Sequence, residues 1–110
     1  MQKETESQIV TAICDYLAIR ERQGRLFYWR ANNMAVVKSD GTFRSMPKHS
    51  KNGVPDVLVV RDGWFIGLEV KTRTGKQSEA QKIFERDLMD KGNGEYHLVR
   101  SVDDVQELGL

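Results

Sequence analysis

The chain has 110 residues, 39% hydrophobic and 30% charged, which fits one small domain spanning 1–110 rather than two. Seventeen Lys and Arg against sixteen Asp and Glu leave a net charge of +1, which excludes a histone-like basic coat and the charge excess of a disordered tail. A single cysteine, Cys14, excludes an internal disulfide framework and a multi-cysteine zinc site. Residues 1–6 hold no apolar signal core, and no run approaches the roughly 18 apolar residues of a membrane helix, so a soluble, cytoplasmic protein is expected.

Thr5 with Gln8 makes a capping-box pattern, and Ile9, Val10, Ile13, Cys14 and Leu17 recur at helical spacing, so a first helix is expected to run to about Gly24. Leu26 to Arg30 is short and aromatic-rich and reads as a strand, with Tyr28 and Trp29 expected in the core. Met34–Val37 and Thr42–Arg44 flank Asp40-Gly41 as a plausible hairpin, and Ser45 to Gly53 forms a basic loop. Two strong strands follow, Val54–Val60 and Trp64–Lys71, joined at Asp62-Gly63, a good hairpin signal. Ser78 then caps a second helix with Gln81 three residues on, apolar positions at Ala80, Ile83, Phe84 and Leu88, and Gly92 as its stop. Tyr96–Val99 reads as a last strand, and Ser101 caps a short terminal helix with Asp103 and Asp104 in its first turn. The order α, several β, α, β, α predicts an α/β domain, a mixed sheet flanked by helices.

Pairing through a two-residue turn at Asp62-Gly63 sets Arg61 against Trp64 and Asp56 against Glu69. Opposed residues share a face with Cβ atoms about 4.5–5.5 Å apart, and Lys71, two residues past Glu69, falls on that face too. Trp64, Ile66, Leu68 and Val70 make the opposite, core-facing row. Like charges facing across a sheet are destabilising, and a divalent cation would offset the cost. The plain alternative is a solvated Asp56 and a Glu69–Lys71 surface pair. Glu6 extends the apolar stripe of the first helix backwards, where an unpaired carboxylate is costly; it reads either as a partner of that pocket or as a first-turn dipole residue. Gln81 reads either as a site residue or as the other half of the Ser78 capping box.

Gly53-Val54-Pro55-Asp56, then Glu69-Val70-Lys71, then Ser78-x-x-Gln81, preceded by Glu6-x-x-Ile9, Ile13 and Tyr16-Leu17, resembles the virus-type replication-repair nuclease (VRR-NUC) domain of the PD-(D/E)xK superfamily, in its stand-alone phage and bacterial type. The likeness covers about residues 4 to 100. It implies a restriction-endonuclease-like core and metal-dependent hydrolysis of DNA phosphodiester bonds. Asp56 and Glu69 would bind Mg²⁺ or Mn²⁺, the Val70 carbonyl would complete the protein ligands, and Glu6 would bind a second metal or hold a coordinated water. Lys71 would orient the attacking water and offset phosphate charge, and Gln81 would support the site. Stand-alone members resemble Holliday-junction resolvases, so branched DNA, a role in DNA repair, a homodimer and a bacterial or phage-infected cytoplasm are implied.

Arg44, Lys48, His49 and Lys51 before the motif, and Arg73 and Lys76 after it, are candidate phosphate contacts, with solvated loops as the alternative. No base-reading motif is present, so recognition by backbone and shape is expected. Two other function classes stay open: a non-cleaving DNA-binding module on a nuclease-like fold, and a protein-interaction domain with an incidental Glu-x-Lys.

Overall fold

The computed structural model describes residues 4–31 and 47–110. The expected hairpin Met34–Val37 and Thr42–Arg44, and with it Arg44 as a phosphate contact, lies outside the described residues.

Helix α1 (Glu6–Arg22) begins where Thr5 and Gln8 close a full capping box, each side chain bonding the other's main-chain N–H. It buries Ile9, Val10, Ile13 and Leu17, and the chain turns away at Gly24, whose φ of +75° suits a residue without a side chain. Strand β1 (Phe27–Arg30) pairs antiparallel with β2 (Val57–Arg61), which pairs antiparallel with β3 (Trp64–Val70). The β2–β3 turn is Asp62-Gly63 with φ of +52° and +82°, the pair of positive angles that matches the twist of a two-residue hairpin. Arg61 accordingly faces Trp64 and Val57 faces Leu68, as the turn predicts.

Helix α2 (Glu79–Gly92) then crosses to β4 (Glu95–Val99), which lies parallel to β3; a parallel neighbour requires such a crossover. Helix α3 (Val102–Glu107) follows its cap, Ser101. The sheet order is β1-β2-β3-β4, and the architecture is α/β, a four-stranded mixed sheet flanked by helices.

One face of the sheet, carrying Val57, Val59, Ile66, Leu68, Val70 and Val99, closes on Ile9, Val10, Ile13 and Leu17 of α1 and Val105 of α3 to form the core. By strand alternation the other face carries Phe27, Trp29, Leu58, Phe65, Gly67 and Glu69. There α2 lies along β4, with its Leu88 lodged against Gly94 and Gly67. Among the described residues no helix is long and apolar enough to cross a membrane.

Four expectations need correction. Trp64, placed in the core row, is 52% exposed because it stands beside the turn at the strand's outer end. Trp29, also expected inside, is 40% exposed on the face away from α1. Helix α2 does not stop at Gly92: it includes that residue and ends on Asn93 in the left-handed conformation, whose N–H donates to the Leu88 carbonyl. Its expected apolar stripe is only partly covered, and Ile83 is 45% exposed.

Candidate active site

Asp56 precedes β2 and is fixed from three sides. Pro55 is buried, and its ring sits so close to Gly67 that a Cβ there would lie 2.8 Å from Pro55 Cγ. The Ala31 N–H donates to the Asp56 carbonyl at 2.9 Å, and the Val70 N–H donates to Asp56 Oδ2 at 2.9 Å. The hairpin register thus carries beyond the last ladder pair and brings Asp56 opposite Glu69.

Glu69 is 1% exposed and Lys71 8%, buried charges that demand partners. Glu69 Oε1 accepts from Gln81 Nε2 at 2.8 Å and lies 3.7 Å from Lys71 Nζ. Its second oxygen, Oε2, is buried and meets no N–H or O–H donor among the described residues. Burial, then the charge of Asp56 and the hydrogen bond that only a protonated Glu69 can donate to it, push the Glu69 carboxyl up to about 8 from an ordinary 4.5, against the downward pull of Lys71. Glu6, in the first turn of α1, completes the group: one oxygen each from Glu6, Asp56 and Glu69 lie within 4.8 Å of one another, close enough to bind a metal ion.

Gln81 satisfies both readings the sequence offers. Its Oε1 accepts from the Ser78 N–H at 2.8 Å, closing the capping box, while its Nε2 holds Glu69. Gly53 explains why α2 arrives in that position. With φ of +72° it packs so tightly on the first turn of α2 that a Cβ would stand 2.4 Å from the Ala80 carbonyl oxygen and 2.7 Å from the Gln81 nitrogen. The loop that presents Asp56 and the helix that presents Gln81 are therefore locked together.

The three carboxylates supply the hard oxygen donors that Mg²⁺ and Mn²⁺ prefer. Once ionised, Glu69 Oε2 is a buried acceptor with no donor among the described residues, so the residues fit a divalent cation. Val70 joins the site through its N–H on Asp56.

The basic residues stand around this centre rather than in it. Lys48, His49, Lys51, Arg73 and Lys76 are all exposed. Lys51 borders a groove of 540 Å³ beside Ile83, Phe84 and Leu88 of α2, and none of the three carboxylates is among its described lining residues. Arg73 and Lys76 ride on a turn that Arg100 braces, its Nη1 donating to the Thr72 carbonyl and, at 3.1 Å, to that of Gly75. His97 pairs with Glu95 in β4, and Cys14 packs half-buried against the core.

Sequence reasoning passed over Arg30, Arg100 and the clamp at Gly53. The Arg30 guanidinium reaches Ser7 and Thr11 of α1 at 3.4 and 3.3 Å, one residue from Glu6. A basic residue ending the strand beside Trp29 was the only available signal for it. Comparison of the chain with protein-family models, curated proteins and solved structures finds no match.

Proposed function

We propose that this protein is a metal-dependent DNA endonuclease on a restriction-endonuclease-like core, as its resemblance to VRR-NUC domains implies. One observation carries the reading: Glu6, Asp56 and Glu69 converge within 4.8 Å, with Lys71 beside them and one buried carboxylate oxygen that meets no donor among the described residues. The Lys71 ion pair engages Oε1 alone, and a buried acceptor left unsatisfied costs about 1–3 kcal/mol, a cost that a bound cation would remove.

In this reading Asp56 and Glu69 would hold Mg²⁺ or Mn²⁺ with the Val70 carbonyl, and Glu6 would bind a second ion or hold a coordinated water. A divalent cation at that point supplies Lewis-acid polarisation of the phosphoryl group and a more acidic water. Lys71 orients the nucleophile and offsets negative charge growing on the phosphate, a task suited to a compact ammonium. Gln81 holds the Glu69 carboxyl in place through Oε1. The Val70 N–H does the same for Asp56 through Oδ2.

The substrate we assign is branched DNA, cut by a homodimer, on the strength of the family resemblance and of a chain of 110 residues with a small core. The test is a panel of four-way junction, flap and linear duplex incubated with Mg²⁺ or Mn²⁺. Cleavage is expected with branched DNA, with Lys71→Ala and Asp56→Asn each inactive but folded by circular dichroism. Full cleavage by either variant would remove those residues from the mechanism. Binding without cleavage in both metals would make the protein a non-cleaving DNA-binding module.

A further inference from the structure

The sheet face that carries Asp56 and Glu69 continues, away from the carboxylates, into a group of aromatic rings. Trp29 stands opposite Leu58, two residues along β2 from Asp56 and so about 7 Å down the same face. Phe27 and Phe65 both stand opposite Val60. Phe27 is 60% exposed and Trp29 40%, with ring centroids 5.8 Å apart, and Trp29 meets Phe65 at 6.4 Å. A small domain rarely leaves adjoining aromatic side chains in water unless they serve a contact.

We infer that Phe27, Trp29 and Phe65 form a stacking platform for unpaired bases of the DNA strand cleaved at the carboxylates. The inference rests on the nuclease reading and narrows its substrate to DNA with unpaired nucleotides beside the scissile linkage. One feature favours bases as the occupant. The rings stand on the sheet face that also carries Asp56 and Glu69, so a strand whose phosphate sits at the carboxylates can bring its next nucleotides to the rings. Aromatic faces are the usual equipment for holding single strands, whereas duplex bases are stacked on one another and present no free face.

Equilibrium titration of the whole protein in EDTA tests this, using a labelled thymidine oligonucleotide of about 15 nucleotides and a duplex of equal length. Trp29→Ala and Phe27→Ala should each weaken single-strand binding about tenfold while changing duplex binding little. Trp29→Tyr, which keeps a ring, should retain most of the affinity, and Trp64→Ala, on the opposite face, should leave both ligands unaffected. Equal losses on both ligands, or no loss, would overturn the inference. So would a Trp29→Ala variant that falls from dimer to monomer in sedimentation yet binds the oligonucleotide normally, because the face would then be a self-contact. Cleavage by Lys71→Ala is read separately. If that variant still cuts, the active-site reading fails while the stacking result stands; if it is inactive and single-strand selectivity is absent, stacking alone fails.

Discussion

Glu69 concentrates the conflict between stability and chemistry in one side chain. It is buried, shares its surroundings with Asp56, and has one cation beside it among the described residues, Lys71, at 3.7 Å. With its pKa raised from 4.5 to about 8, the folded protein keeps a proton there that the unfolded chain has already released. The stability linked to that proton is fully present below the unfolded value and is lost as pH rises through the folded one. Metal-free protein should therefore unfold at lower urea concentration near pH 8 than near pH 5, by an amount that Glu69→Gln removes. Adding Mg²⁺ at the higher pH should restore the wild-type midpoint and leave the Gln variant where it was, since binding to the folded state alone stabilises it. Urea titrations at both pH values, with and without metal, check all of these outcomes. A midpoint in the wild type that ignores both pH and metal would mean Glu69 carries no uncompensated charge.

At the scale of elements, the site depends on two joints, one legible in the sequence and one not. The Asp62-Gly63 turn fixes the β2–β3 register, and period-two alternation then places Asp56, Glu69 and Lys71 on one face by counting alone. Capping residues Thr5, Ser78 and Ser101 mark helix starts just as directly, because each supplies a main-chain bond that the helix lacks. The joint at Gly53 could not be read this way, since it is a contact between a loop and a helix some 27 positions on, and no local period encodes it. The exposure of Trp29 and Trp64 was hidden for a related reason: aromatic residues favour strands on either face, and only the placement of the helices decides which face is covered. Gly53→Ala should cost about 1–3 kcal/mol, because its Cβ would collide with the Ala80 carbonyl and its φ of +72° disfavours any other residue. It should also lower kcat, since α2 cannot retreat without drawing Gln81 from Glu69. Ser78→Ala should cost about 1 kcal/mol through the lost cap while leaving Gly53 seated. Thermal melts and single-turnover cleavage of the two variants separate the effects, and a Gly53→Ala enzyme with normal kcat would show that the clamp is not needed to hold Gln81.

Across the whole molecule a net charge of +1 gives little long-range attraction for DNA, so affinity must come from cations gathered near the site. The described chain offers two such groups, Lys48 and Lys51 before Asp56 and Arg73 and Lys76 after Lys71, and they differ in how they are held. Arg73 and Lys76 belong to a turn that Arg100 grips through the Thr72 and Gly75 carbonyls, while the Arg100 main chain is tied to Asp104 at 2.8 Å. Each phosphate contact contributes roughly 0.9 to the slope of log affinity against log salt on duplex DNA. Lys51→Ala should lower that slope by about 1, the loss of one contact. Arg100→Gln touches no phosphate itself, yet by releasing the turn it should lower the slope by up to about 2 as Arg73 and Lys76 lose their fixed positions. Lys91→Ala, removing an exposed cation already 3.6 Å from Asp87 on α2, should leave the slope unchanged. Binding isotherms over a range of KCl concentrations give the three slopes directly. An Arg100→Gln slope equal to the wild type would mean the braced turn does not face the DNA, and the backbone would then have to be held from the Lys48–Lys51 side alone.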